Sequence, residues 1–417
     1  MTDAHDAEPE SSSGERESSG LANEVLRVGA SLLSVYPRDN VGTATYVEGM
    51  LSALSRVPGI DPIVLQNAES AAICGLIPGL TVRPVPRFDT AVRKVGRVPA
   101  LAAAMSFRLW LGDSVTQDLD VIHYVQSVPA PAVPREIAKV VTLHDVQHRD
   151  HPEFFSRSVR AWRRIAYDKS ARDADVVITD SANARDRIVA QLGIPSARIH
   201  VALLGVHLEQ FSPHRRETDL PTLDRLGVRK PYVFYPASLL PHKNHPRLFE
   251  ALRLLEGVDL VLTGAQVEHH GVLDQALRDL GLVDRVHHLG LVPQEVLPVL
   301  YRHARALVFP SLYEGFGAPV VEAMASGCPV ACSDRGSLPE VGGDAAIVFE
   351  ADDPYSIARE VKRLLVETEL RERCIERGLR RSRAFDWHLC AARHLEAYQA
   401  ARAVADVRCS RPSVRRR

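Results

Sequence analysis

Short runs rich in β-branched residues alternate with helix-periodic stretches along nearly the whole chain. This alternation limits the fold more than any other feature. Strands are expected at Val25–Leu33, Val121–Val125, Val140–Leu143, Val176–Thr179 and Ile199–Leu203. A second series is expected at Tyr232–Tyr235, Leu260–Thr263, Val286–Leu289, Ala306–Phe309, Val330–Cys332 and Ala346–Phe349. Helical periodicity fills the gaps, for example at Pro246–Leu255, Gly271–Leu280, Gln294–His303 and Pro354–Val366. Strands separated by helices form parallel sheets covered on both faces. Right-handed crossovers leave a doubly wound topology as the simplest arrangement.

A chain of 417 residues exceeds one ordinary core and suits two domains. The pattern breaks at Phe211-Ser-Pro-His-Arg-Arg-Glu-Thr-Asp-Leu-Pro221, a polar, charged, proline-bearing stretch that reads as a crossing between domains. The expectation is α/β: two Rossmann-like doubly wound domains, at 21–212 and 213–383, facing a central cleft. Residues 1–20 read as a disordered acidic tail. A last helix at 384–405 opens on Asp386-Trp387-His388 and is expected to pack back toward the first domain, leaving a basic tail at 406–417. Ligands of open α/β sheets lie at the carboxyl ends of the strands, so the chemistry should come from the loops that follow strands.

Several classes are disfavoured. Lysine plus arginine (51) balances aspartate plus glutamate (52), and no nucleic-acid motif is present, so no nucleic-acid partner is expected. No apolar run reaches the roughly 18 residues of a membrane span. The polar, acidic start does not read as a secretory signal, and the six scattered cysteines lack CxxC spacing. The chain reads as cytoplasmic with reduced thiols.

The most informative stretch runs from Phe309 to Val330 and contains EGFGAPVVEAMASGCPV. It leaves a strand, turns through Glu314-Gly315-Phe316-Gly317 and enters a helix near Pro319, where a missing N–H costs nothing. Gly315 and Gly317 are expected to let the backbone approach a ligand. Glu314 on the loop and Glu322 one turn into the helix are placed to accept hydrogen bonds from vicinal hydroxyls. Glu314 and Glu322, separated by seven residues and set between FPS, the GFG turn and the SGCPV stop, resemble the signature of the retaining glycosyltransferase family 4 of GT-B fold. The similarity extends from about residue 25 and is strongest over 232–343.

The resemblance implies a donor site in the second domain and acceptor binding in the first. It assigns Glu322 to the ribose hydroxyls, Glu314 to the transferred sugar, and the Phe316 and Gly317 amides to sugar hydroxyls. A second loop, Tyr235-Pro-Ala-Ser-Leu-Leu-Pro-His-Lys-Asn-His-Pro246, carries Lys243, which the family uses on the donor diphosphate. Many members have arginine six residues before this lysine, where this chain has Ala237; Ser238 and His242 are the polar neighbours available to substitute. Leu260–Gly264, Val286–Leu300 and Ser333–Glu340 match further loops around the nucleotide.

In the first domain, Val140-Val-Thr-Leu-His144-Asp145 sets a histidine at a strand end. His144 resembles the family's histidine beside the reacting sugar, suited to hydrogen bonding or to handling the acceptor proton. Asp145 reads equally as a cap for the following helix. Gly42, in Val41-Gly42-Thr43, stands where relatives carry two glycines. Gly205 is read as permitting close approach of the domains. Asp118-Leu-Asp120 and Asp173-Ala-Asp175 spell a metal motif of another architecture but precede strands. No metal and no cofactor are therefore expected. The clustered histidines at 148–151, 269–270 and 287–288 read as surface residues. Pro86–Gly112 mixes Arg87, Arg93, Lys94, Arg97 and Arg108 with Val98, Leu101, Met105, Phe107, Leu109 and Trp110. It reads first as a packed helix with basic residues in water, and otherwise as a border of the acceptor site or a contact with an anionic membrane.

The resulting expectation is a retaining, metal-independent transferase. It moves a hexose, in the mannosyl- and rhamnosyltransferase-like manner, from a nucleotide-diphosphate sugar to a saccharide, lipid-linked or natural-product acceptor. A nucleotide-sugar epimerase of the same fold and a non-catalytic scaffold are the rivals.

Overall fold

In the computed structural model, the residues described are 25–410, apart from 38–40, 107–114, 229–230 and 266–269. The tails at 1–20 and 411–417 lie outside them, as do Arg108, Phe107, Leu109, Trp110 and His269. The first sheet contains β1 (Leu26–Ser31), β2 (Ile60–Gln66), β3 (Thr81–Pro84), β4 (Val121–Tyr124), β5 (Ala138–Thr142), β6 (Val176–Thr179) and β7 (Ile199–Val201). The second contains β8 (Tyr232–Pro236), β9 (Asp259–Thr263), β10 (Val286–His288), β11 (Ala306–Phe309), β12 (Val330–Ser333) and β13 (Ala346–Phe349).

The strand orders are β3-β2-β1-β4-β5-β6-β7 and β10-β9-β8-β11-β12-β13, and the pairs are parallel. Central strands such as β4, β6, β11 and β12 are buried at every residue, as sheets covered on both faces require. Strand order reverses between β1 and β4 and between β8 and β11. A doubly wound sheet opens its ligand crevice at such a reversal, so the loops after β8 and β11 are fixed as the floor of the second domain's site.

Two strands depart from the sequence expectation. Within β2, Asp61-Pro62 interrupts the apolar run, yet the strand is held between β1 and β3 in register, Val28 opposite Pro62. β3 is a short, largely exposed edge strand with little hydrophobic signal. The crossing segment is more anchored than its polar sequence implies. Phe211 is buried, and buried Asp219 accepts from Arg302 at 2.8 and 3.0 Å and pairs with His303 at 3.1 Å.

The last helix runs from Trp387 to Ser410, past the expected end. Its alanine-rich face, with Cys390, Tyr398 and Ala401, joins the core formed by β1, β4 and the helix Val41–Leu54. Chain crossings meet at its start, where the Val206 amide donates to the Phe385 carbonyl. The Trp387 side chain fills the space left by two glycines: a Cβ on Gly49 or Gly205 would lie 2.2 or 2.4 Å from its atoms. Gly205 thus admits the indole. We expect Trp387→Ala to destabilise the protein by about 3–5 kcal/mol, measured by chemical unfolding, because the cavity is walled by glycine backbone that cannot collapse into it.

Candidate active site

The loop after β11 bends through Glu314 and Gly315 to Gly317, whose left-handed φ of 95° starts the helix Ala318–Ala325. Glu322 lies on this helix and accepts a 2.7 Å hydrogen bond from the Tyr301 hydroxyl. Burial pushes the Glu322 carboxyl up to about 7, against the stabilising hydrogen bond from Tyr301. On the neighbouring loop, after β8, a short turn Pro241–Lys243 leads into the helix His245–Arg253 through Asn244, at φ 58°. The Asn244 amide donates to the Pro310 and Ala351 carbonyls at 3.1 and 2.8 Å, and the Tyr235 hydroxyl donates to the Lys243 carbonyl at 2.8 Å. These three hydrogen bonds fix the turn at Lys243, whose ammonium reaches Glu314 Oε1 at 2.6 Å.

His242 and Ser238 lie on the same loop. Burial and the adjacent Lys243 charge lower the His242 imidazole to about 4, so it is neutral at pH 7 and offers an N–H rather than a positive charge. It does not reproduce the arginine of the relatives. Ala237 is buried where β8 meets Gly264: a Cβ on Gly264 would lie 2.6 Å from the Ala237 carbonyl.

Gly315 and Gly317 also have a reason within the protein to lack side chains. A Cβ on Gly315 would stand 2.6 Å from the His144 carbonyl oxygen, and one on Gly317 would stand 2.6 Å from Leu338. These glycines make room for protein. The loop is held further by Ser337, whose hydroxyl donates to the Glu314 and Phe316 carbonyls at 3.1 and 2.7 Å, and by Gly336 packed on Glu314. Phe316 is buried edge-on against Phe385, 5.7 Å between centroids.

From the first domain, His144 follows β5, and its Nδ1–H donates to Asp180 Oδ2 at 2.6 Å. Its Nε2 is buried with no partner among the described residues. Burial pulls this imidazole down, but the Asp180 carboxylate outweighs it, and the net direction is upward. Tyr46 packs edge-on at 4.9 Å and hydrogen-bonds Thr142 and His394, tying the site to the last helix. Asp145 accepts from the Gln147 amide two residues on at 2.9 Å, one residue ahead of Val146, which starts the helix without a side-chain cap. Gly42 is exposed in the first turn of Val41–Leu54, and the preceding residues 38–40 lie outside the described ones.

The domains touch at this site. The Ser181 hydroxyl donates to the Gly315 carbonyl at 2.8 Å, and the Ala182 and Asn183 amides, at a helix N-terminus, each donate to the Glu340 carboxylate at 2.8 Å. Lys243, Glu314 and Glu322 are therefore gathered around the β8–β11 reversal, with His144 and Asp180 across the interface from Gly315. Asp180 and Tyr301 were given no site role from sequence, and Asn244 and Glu340 stood only within matched loops. The one signal available for Asp180 was its place directly after a strand.

The aspartate pairs hold structure at the opposite strand ends. Asp118 binds Arg83 at 2.6 and 2.7 Å, Asp120 binds Arg402 at 2.9 Å, and Asp175 pairs with Arg408. Among the described residues, no group of three or more His, Cys, Asp or Glu is placed to hold a metal ion. The histidine reading is also corrected: His148 is buried against Asp168 at 2.7 Å, and His287 is half-buried against Asp259 at 2.9 Å. Each found an acid supplied by a distant segment. No helix of the described residues is long and apolar enough to cross a membrane.

Comparison with known proteins converges on one family. The profile for glycosyl transferases group 1 matches residues 224–381, and that for Glycosyltransferase Family 4 matches residues 41–210. The O-antigen chain mannosyltransferase B of Escherichia coli is 31% identical over 287 residues, covering 67% of this chain and 75% of that protein. The MMP alpha-(1->4)-mannosyltransferase of Mycolicibacterium hassiacum is 30% identical over 306 residues, covering 68% and 71%. Among solved structures, HepE of Anabaena in complex with UDP and glucose superposes with a TM-score of 0.69 at 20% identity, covering 90% of this chain and 100% of that one. That likeness supports the GT-B fold. The chain belongs to the group 1, family 4 glycosyltransferases: it is a glycosyl-transferring enzyme of two Rossmann-like domains, similar to the mannosyltransferases of that family.

Proposed function

We propose that the enzyme transfers a hexose, mannose or a deoxyhexose, from a nucleotide-diphosphate sugar to an acceptor hydroxyl with retention and without a metal. The acceptor is a saccharide, free or lipid-linked, or a natural product. The observation that carries the reading is the gathering of Lys243, Glu314 and Glu322 at the β8–β11 reversal, beside the interface where His144 stands on Asp180. Mannose is favoured because several relatives are named mannosyltransferases. The helices Pro86–Val95 and Arg97–Ser106 expose Val95 and Val98 beside Arg93 and Lys94, a surface suited to a lipid-linked acceptor or an anionic membrane.

In this reading Lys243 leaves Glu314 for the donor diphosphate, and Glu322 holds the ribose hydroxyls. The freed Glu314 and the Phe316 and Gly317 amides meet the sugar. The acceptor oxygen bonds to the anomeric carbon on the face from which the phosphate oxygen departs, and the leaving phosphate takes the acceptor proton. His144 Nε2 hydrogen-bonds a sugar hydroxyl. A covalent sugar trapped on a side chain would overturn this front-face step. Thermal shift with UDP, GDP, ADP and dTDP and their sugars tests the donor site. One base should stabilise the protein equally with and without EDTA; no shift from any of them would remove the reading.

Asp180 is a positioning residue in this scheme. Asp180→Asn is expected to lower kcat about 10- to 100-fold. Without the carboxylate the His144 pKa falls, so the limb of the kcat/KM profile that His144 sets moves to lower pH. A variant with reduced rate but an unmoved limb would make Asp180 merely structural.

A further inference from the structure

The donor crevice lies at the carboxyl ends of the second sheet, and a separate cavity opens at the amino ends. It has a volume of about 590 Å³ and is rimmed by Pro231, Ala304, Arg305 and Pro329, which immediately precede β8, β11 and β12. Four arginines line it, Arg215, Arg302, Arg305 and Arg371, together with His303. Among the described residues that line it, none is acidic.

This concentration is local. Over the whole chain 51 lysines and arginines face 52 acids, so a wall of arginines without one carboxylate does not follow from composition. The floor is built. Arg302 and His303 are buried and held by Asp219 from behind, with Arg302 bidentate at 2.8 and 3.0 Å. Burial would raise the Asp219 carboxyl, but its arginine and histidine partners bring it down to about 2, so it stays ionised and cancels one arginine charge. The other three arginines form no ion pair among the described residues; Arg371 has only a 3.4 Å contact with the Leu365 carbonyl. Guanidinium groups are planar forks suited to phosphate oxygens.

We propose that this cavity is a second anion site, remote from the donor crevice, that takes a phosphoryl group through Arg215, Arg305 and Arg371. A soluble phosphate ester and a phospholipid headgroup share that chemistry. The site sits at the end of the helix Leu297–His303, whose Tyr301 hydrogen-bonds Glu322.

The test is calorimetric titration of the full chain with inorganic pyrophosphate, alongside co-sedimentation with phosphatidylglycerol vesicles and phosphatidylcholine controls. Titrations are repeated in a Lys243→Ala background, which removes the ammonium assigned to the donor diphosphate. Arg305→Ala and Arg371→Ala should each weaken pyrophosphate binding about tenfold or more, and Lys243→Ala should leave one binding event in place. Thermal midpoints near wild type show that the substitutions leave the fold intact. Binding to anionic vesicles alone, lost in the same variants, identifies the source as a lipid headgroup and supports the site. Saturable binding of neither probe, or binding unchanged in the double variant Arg305→Ala/Arg371→Ala, overturns the proposal.

Discussion

Glu322→Gln is expected to cut kcat/KM for the donor about 100-fold while making the protein more stable above pH 7. The loss follows from replacing charge-assisted acceptors of the ribose hydroxyls with a neutral amide, each such bond being worth roughly 1.5–3 kcal/mol. The gain follows from linkage. Burial places the Glu322 pKa at about 7, above the usual carboxylate range. Between the unfolded and folded values, the folded chain holds a proton that the unfolded chain has released. Its stability contribution is full below the lower value and is lost as pH rises through 7. Glutamine carries no such titration and still accepts the Tyr301 hydrogen bond. The advantage of the variant should therefore grow from about pH 5 to above pH 7, levelling at about 1–3 kcal/mol. The same titration should make wild-type donor affinity rise with pH through 7, while the variant stays flat. A pH-independent wild-type affinity would contradict the assignment of the ionised form to ribose.

The second large effect concerns the Lys243–Glu314 pair. The two side chains are 17% and 13% exposed and 2.6 Å apart. Lys243→Ala leaves Glu314 half-buried without its counter-charge. Breaking a fully buried pair costs about 3–5 kcal/mol, so about 1–3 kcal/mol is expected here. Catalysis should fall about 100- to 1000-fold, because the diphosphate loses its cation in both the bound and departing states. The double variant Lys243→Met/Glu314→Gln should recover most of the stability and none of the activity. Chemical unfolding and kcat/KM measured on both variants separate the two effects. Wild-type donor affinity in Lys243→Ala would show that Glu314 alone is its function.

Local pattern carried strands that are uniformly apolar and separated by helical periods; β6 and β11, and even the edge strand β13, have the expected bounds. It failed at β2, where Asp61-Pro62 masks a strand that neighbours on both sides hold in place, and at exposed β3. The acids and lysine of the site were legible because they lie in two compact loops. Their partners were not. Asp180 meets His144 from 36 residues away, and Tyr301 meets Glu322 from 21. At Gly315 the sequence shows a missing side chain but not the His144 carbonyl, 2.6 Å from where a Cβ would stand. Asp118, Asp120 and Asp175 precede their strands, and the arginines that the fold brings to them could not be read from sequence.

The most direct measurement is proton NMR of the anomeric signals during turnover of α-linked nucleotide-diphosphate hexoses, GDP-mannose first, with an oligomannoside acceptor. Nucleoside diphosphate is expected to be released in step with a new α-anomeric signal, insensitive to EDTA. A β-configured product, or no nucleotide release from any UDP, GDP, ADP or dTDP sugar, would contradict it.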